Sequence, residues 1–285
     1  MMMDVLKKKF RNKTEQNSIK TAKRCLLIGI NYENTDYSLS GCINDSENLK
    51  GFLIKNNYFQ KNEFVMMNDK KSGVYYPNKK HIWKQLDALV KFAKMNIKNN
   101  VLLFVAYSGH GSHIKDISGD EEDGQDEVLC PVDFINNGYI VDDDIKRKFI
   151  NKLPKNVKLV TLIDACHSGT VLDLKYNYMV DKKDTYKIYG NMRQTHCEVI
   201  MISGCRDSQT SADAYLKDKQ EGGKYEYQGA MTAAFISNYK NGITYEELII
   251  IMRSWLKKKK FTQIPQLSSG QYLNTKNNFL LCNFN

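Results

Sequence analysis

The chain has 285 residues, enough for one large domain with a full core; 42% are hydrophobic and 26% charged, an ordinary balance for a globular protein. No apolar run reaches the ~18 residues that span a membrane, and the opening MMMDVLKKKF lacks the apolar core of a secretory leader. The net charge of +10 is a weak argument for nucleic acid: residues 1–24 carry eight Lys/Arg against two Asp/Glu, six of the 42 basic residues are Arg, and no nucleic-acid-binding motif occurs.

Residues 1–22 are polar, lysine-rich and aperiodic and read as a flexible basic arm, leaving 23–285 as a single domain. RCLLIGINY (24–32) is apolar without alternation, the mark of a strand buried on both faces. Residues 43–57 have Leu49, Phe52 and Leu53 at helical spacing, and EFVMMND (63–69) is a second strand. HIWKQLDALVKFAKM (81–95) carries a helical apolar stripe, and NVLLFVAYSGHG (100–111) is a third strand. DDDIKRKFINKL (142–153) is a helix whose leading acids suit the positive end of its dipole. VKLVTLIDACHSG (157–169) and CEVIMISGC (197–205) are the fourth and fifth strands, 229–240 and 244–257 are helices, and NNFLLCNF (277–284) is a last strand. Strands alternating with helices predict an α/β fold with a mostly parallel central sheet flanked by helices on both faces. Segments 112–139 and 174–196 show no periodicity, and 213–228 is polar with Gly222 and Gly223; all three read as functional or disordered stretches.

In such sheets, sites lie beyond the carboxyl ends of the strands. The third strand ends in Ser108, Gly109, His110 and Gly111, the fourth in Asp164, Ala165, Cys166 and His167, the fifth in Ser203, Gly204 and Cys205. Consecutive residues of a strand point to opposite sides, so His167 is poorly placed to take a proton from Cys166, whereas His110 can approach from the neighbouring strand. A Cys–His pair at such an edge is suited to nucleophilic catalysis, in which an imidazole forms the thiolate and then protonates a leaving amine. The glycines around His110 expose backbone amides that, with the amide of Cys166, suit an oxyanion. Asp164, two residues before Cys166, falls on the same side of the strand. Without an export signal the seven cysteines (25, 42, 130, 166, 197, 205 and 282) are expected to be reduced, in a cytoplasmic setting; scattered, odd in number and without a CxxC pair, they predict neither a disulfide framework nor a structural zinc. His113, His167 and His196 lack metal-ligand spacing, and His81 opens a helix at the surface.

GINYENTDYSLSGCINDSENLKGFL (29–53), YSGHGS (107–112), GDEEDGQDEVLCPVDF (119–134), DDDI (142–145), DACHSGTVLDLKY (164–176), ISGCRDSQTSADA (202–214) and PQLSSG (265–270) occur in an order that resembles a metacaspase, type I-like, across almost all of 23–285. The resemblance implies a caspase-like fold and a cysteine endopeptidase that cuts after Arg or Lys through a thioacyl-enzyme, with Cys166 as nucleophile, His110 as base and the amides of Gly111 and Cys166 as oxyanion hole. It maps the substrate pocket to Asp45, Asp164, Cys42 and Ser108; from spacing alone Asp45 reads equally as a helix N-cap. The acidic run 116–127 fails the EF-hand spacing and reads by itself as a solvated loop, but the resemblance implies an activating calcium at Asp126, Asp142, Asp143 and Asp173, and no organic cofactor. Asp142 and Asp143 also read as the dipole-matched start of a helix.

The long Pro/Gln-rich extension of many family members has no counterpart here, and the stretch between the two halves is short, which points to a single-chain active enzyme. Family members commonly lack the caspase dimer, so the resemblance implies a monomer, acting on protein or peptide substrates with exposed Arg or Lys, without nucleic-acid or membrane partners. Lys182, Lys183, Lys217, Lys219 and Lys224 are candidate self-cleavage sites, and read equally as solvated lysines. The rival reading, a silent scaffold that keeps the fold for binding, is opposed by the presence together of Cys166, His110, Asp45 and Asp164.

Overall fold

The computed structural model describes residues 20–115, 124–166, 168–180, 186–189, 192–204, 213–217, 225–279 and 281. Strand β1 (Thr21–Gly29) leads to helix α1 (Cys42–Lys55), strand β2 (Phe64–Asn68) and helix α2 (Lys79–Met95). Strand β3 (Asn100–Ser108) runs into β4 (Gly111–Lys115), followed by β5 (Gln125–Leu129), the short helix α3 (Phe134–Asn137), β6 (Ile140–Val141) and α4 (Asp142–Lys148). Then come β7 (Val157–Asp164), β8 (Tyr176–Tyr178), β9 (Tyr186–Ile188), β10 (Glu198–Ser203), the hairpin β11 (Asp213–Lys217) and β12 (Tyr225–Gly229), helices α5 (Ala230–Asn238) and α6 (Tyr245–Lys258), and β13 (Gln266–Ser269).

The main sheet has the order β2-β1-β3-β7-β10-β13-β8-β9. The first five strands are parallel; β13, β8 and β9 add antiparallel. Even-numbered Leu102, Phe104 and Ala106 of β3 pack with α1, α5 and α6, whereas odd-numbered Leu103, Val105 and Tyr107 pack with α2 and α4. The unbroken apolar strands read in the sequence are thus buried on both faces. Lys158 interrupts β7 yet is fully buried; its ammonium lies 3.2 Å from the carboxylate of Glu198 and donates to the hydroxyl of Tyr245, which makes burial of the charge tolerable.

Several boundaries differ from the sequence reading. β1 begins at Thr21, inside the segment read as an arm, because Thr21 and Ala22 pair with Asn100 and Val101. β7 stops at Asp164, before Cys166. The three stretches read as functional or disordered hold β5 and most of β4, the β8–β9 ribbon, and β11 with most of β12, strands too brief to show a period; β6 follows directly after the first. PQLSSG holds β13, and the expected last strand shows only a bridge between Thr244 and Asn278 among the described residues. His81 is half-buried, with its ring Nδ1 3.1 Å from the carbonyl of Tyr76. Among the described residues no helix is long and apolar enough to cross a membrane.

Leu103 is fully buried at the centre of β3. Leu103→Ala is expected to cost about 2–5 kcal/mol of unfolding free energy in urea titration; a loss below about 1 kcal/mol would contradict this packing.

Candidate active site

β3 and β7 are neighbours, and Ser108 pairs with Asp164. His110 and Cys166 therefore each stand two residues beyond the same rung. Gly111 continues the contact: a Cβ on it would lie 2.1 Å from the carbonyl oxygen of Cys166, so only glycine lets these two backbones meet. This is the meeting of strand ends expected from the sequence. His167 lies outside the described residues, as do Cys205 and Cys282.

The ring of His110 is oriented by the loop after β1. Its Nε2 is 2.7 Å from the backbone carbonyl of Tyr37. A carbonyl can only accept, so Nε2 carries the proton and Nδ1 is left as the basic nitrogen. Its own backbone is held by two phenols: its N–H donates to the Tyr32 hydroxyl at 2.9 Å, and its carbonyl accepts from the Tyr107 hydroxyl at 2.9 Å. Burial pushes both phenols well above their ordinary range, so they remain protonated donors.

Five free cysteines are described, and Cys166 alone among them is not buried. Burial pushes the thiols of Cys130 and Cys197 up to about 12 and raises that of Cys25 well above its usual range, which leaves them inert. Beyond Cys166 the chain is fixed by the Ser168 hydroxyl, which donates to the carbonyl of Ala165 at 2.9 Å.

Asp45 and Asp164 come together although 119 positions separate them. Both are buried, at 2% and 4% exposure. Asp45 is not the N-cap of α1, a place taken by Gly41; its Oδ1 accepts the N–H of Gly229 at 2.7 Å. Asp164 Oδ2 accepts the N–H of Thr232 at 2.9 Å, and its Oδ1 faces the Gln263 amide at 3.5 Å. A Cβ on Gly229 would lie 2.3 Å from one carboxylate and 2.6 Å from the other. The pair therefore converges at the N-terminus of α5, where backbone N–H groups favour negative charge. Ser108 is buried on the same rung as Asp164, and Cys42 is buried one helical turn before Asp45. Gly229, Gln263, Thr232 and the carbonyl of Tyr37 were not singled out in the sequence; backbone donors and acceptors leave no residue-type signal.

Of the four acids assigned to calcium, Asp126, Asp142 and Asp173 are buried and Asp143 is half-buried. Asp142 accepts the N–H groups of Glu127 and Asp143, both at 2.7 Å. Burial pushes its carboxyl up to about 7; those two hydrogen bonds oppose the rise, and the neighbouring Asp126 carboxylate adds to it. The Lys146 ammonium donates to the carbonyl of Asp173, whose backbone is left-handed at φ 47°. Among the described residues no three His, Cys, Asp or Glu side chains converge as a metal site. The four acids supply only hard oxygen donors, the type calcium takes, and the crowding of Asp126 and Asp142 is a charge problem that a cation would relieve. Residues 116–123 lie outside the described residues, as do Lys182, Lys183, Lys219 and Lys224; Lys217 ends β11, opposite Tyr225.

A family model described as metacaspase, peptidase C14 domain, matches residues 23–175. Metacaspase-1 of Eremothecium gossypii is 36% identical over 91% of this chain and 66% of that protein, and Metacaspase-2 of Arabidopsis thaliana is 36% identical over 89% and 62%. The chain spans about two thirds of the length of these curated relatives. Caspase-1 of Spodoptera frugiperda is similar in fold, with a TM-score of 0.52 over 94% of both chains at 10% identity.

A carboxyl held at about 7 when folded, against an ordinary 3.8, binds its proton more tightly in the folded chain. Stability from this group is present below about pH 4 and is lost as pH rises to about 7. In chelator, the thermal midpoint is expected to fall across that window, and to fall less in Asp142→Asn; equal pH slopes would contradict the assignment.

Proposed function

As the chain belongs to the metacaspase family of cysteine peptidases, we propose that it is a calcium-activated endopeptidase cutting after Arg or Lys, with Cys166 and His110 as its dyad. The observation that carries the reading is the shared rung of β3 and β7, beyond which the half-buried Cys166 thiol and a histidine with a defined tautomer stand together.

In this mechanism the Cys166 proton passes to Nδ1 of His110, and the thiolate adds to the scissile carbonyl carbon. The oxyanion lies against the amides of Gly111 and Cys166. The imidazolium then protonates the departing amine as the C–N bond breaks, leaving a thioacyl-enzyme. A water gives its proton to Nδ1 and attacks the thioester, which releases the acid and returns Cys166 and His110 to their starting state. The Tyr37 carbonyl keeps the Nε2–H engaged throughout, so Nδ1 alone exchanges the proton.

The preference for Arg or Lys rests on Asp45 and Asp164. Two buried carboxylates near one small residue match a guanidinium or ammonium, whose charge is costly to desolvate without a partner. Calcium would be held by oxygens among Asp126, Asp142, Asp143 and Asp173 and, when bound, supplies positive charge that neutralises the crowded acids. Asp173 lies in the chain that leaves Cys166, which links such a cation to the order of that segment.

The sheet edges β2 and β9 are five and three residues long and offer little backbone to a second copy, in keeping with a monomer. The free thiols support a reducing, cytoplasmic setting. Self-processing after a lysine of the 174–196 or 213–228 segments would produce two fragments by intact mass with calcium, and none in Cys166→Ala.

Hydrolysis of fluorogenic peptides ending in Arg, Lys or Asp tests the reading. Arg and Lys peptides are expected to be cut and the Asp peptide spared. Cys166→Ala abolishes cleavage, and Asp45→Ala lowers kcat/KM for Arg by about 100-fold or more through loss of the paired charge. Chelator suppresses the rate, and added calcium restores it. Cleavage that survives in Cys166→Ala would overturn the dyad, and equal rates in chelator and calcium would overturn the cation.

A further inference from the structure

The loop 30–41 between β1 and α1 is tied down far more closely than a connector requires. Asp69, just beyond β2, accepts the N–H of Asn31 on Oδ1 and of Glu33 on Oδ2, both at 3.1 Å. Asn31 Oδ1 in turn accepts the N–H of Ile43 in the first turn of α1, and its carbonyl accepts the N–H of Leu39 at 2.7 Å, which closes the loop. Inside it Tyr32 and Asn34 are left-handed, at φ 51° and 63°, conformations that cost energy for residues with a Cβ and persist only when the surroundings enforce them. The Tyr32 carbonyl accepts from the hydroxyls of Thr35 and Ser38, and the N–H of Tyr37 donates to the Thr35 hydroxyl. These bonds fix the turn that presents the Tyr37 carbonyl to His110.

Tyr32 also reaches His110 directly. Its buried hydroxyl accepts the His110 N–H at 2.9 Å and donates to the Cys130 carbonyl at 2.6 Å, and its ring lies 4.8 Å from the imidazole. The Tyr107 hydroxyl completes the grip on the His110 carbonyl. A Cβ on Gly109 would fall 2.8 Å from the Tyr107 hydroxyl and 2.9 Å from that of Tyr32, so the two phenols pack directly against this turn. The imidazole is thus constrained at its backbone N–H, its carbonyl and its Nε2, and Tyr32 serves the first of these directly and the third through the turn it anchors.

We propose that Tyr32 is a positioning residue for the His110 base, holding its backbone through the phenol and its Nε2 through the Tyr37 turn, and that Asp69 locks the loop on which both depend. The inference rests on the Cys166–His110 dyad. Neither Tyr32 nor Asp69 touches the reacting atoms; each acts by fixing the direction of Nδ1.

The test is the rate of Cys166 alkylation by iodoacetamide across pH 5–9, read by peptide mapping, with kcat, KM and the thermal midpoint measured alongside. Tyr32→Phe keeps the ring and removes one hydroxyl; Asp69→Asn keeps the shape but replaces one acceptor oxygen with an amide that cannot accept. In Tyr32→Phe, kcat is expected to fall about tenfold or more with KM within about twofold. The alkylation profile moves up toward the ordinary thiol range near about 8.5, because a misdirected imidazole no longer holds the thiolate. Asp69→Asn moves both in the same direction by less. A wild-type kcat and alkylation profile in Tyr32→Phe, whatever its thermal midpoint, would overturn the inference, because loss of stability alone is what a merely structural tyrosine gives. If Tyr32→Phe does not fold, Asp69→Asn decides by the same profile. An ordinary thiol profile for Cys166 in the wild-type protein would instead sink the dyad, and this inference with it.

Discussion

The site depends on one pairing, that of β3 with β7 in parallel register. With Ser108 opposite Asp164, the residues that follow each strand emerge at the same height, and the chemistry is set by what lies two positions farther along. A slip of one residue would turn every buried side chain of β7 to the other face, so the two-sided core enforces the register that the site needs. The position of His110 relative to Cys166 is therefore a property of the whole sheet. Gly111 makes the approach tolerable: with a side chain there, the Cys166 carbonyl would have to move.

Around that rung the structure divides its labour between the two sides of the sheet. On the α1 and α5 side, Asp45 and Asp164 meet at the start of a helix whose N–H groups share their charge. On the other, two phenols and a strained loop fix His110. The acids Asp126 and Asp142 lie apart from both, where β5 meets α4, and Lys146 of that helix reaches the chain that leaves Cys166. The carboxylates near Gly229 are stabilised by backbone hydrogen bonds, whereas Asp142 is held against its preference by burial and a like-charged neighbour. The two groups of acids thus differ in kind: backbone N–H groups meet Asp45 and Asp164, whereas Asp142 faces the carboxylate of Asp126.

Much of this was legible in the residues. The unbroken apolar runs of β1, β3, β7 and β10 gave the parallel sheet, because burial on both faces removes any need for alternation. The strand-end pairs placed His110 and Cys166 at one edge of the sheet, because sheet sites gather at the carboxyl ends of strands. The β4–β5–β6 sheet and the β11–β12 hairpin escaped, since strands of two to five residues carry too little pattern. The sequence left Asp45 between helix cap and pocket; the cap reading falls because α1 begins at Cys42 with Gly41 before it, and Asp45 instead accepts the N–H of Gly229, which arrives from a distant hairpin. The Tyr37 carbonyl could not be found from residue types at all: any residue can supply a carbonyl, and its position depends on a loop whose bonds come from Asp69, Thr35 and Ser38.

The central claim is that the imidazole of His110 activates Cys166 from the neighbouring strand. The most direct measurement is the rate at which an arginyl chloromethyl ketone adds covalently to the calcium-loaded protein, followed by intact mass with the label located by peptide mapping, in wild type and in His110→Ala. The account predicts one label, on Cys166, and a rate at least about 100-fold slower in the variant. A label on another residue, or an equal rate on Cys166 without the imidazole, would contradict it.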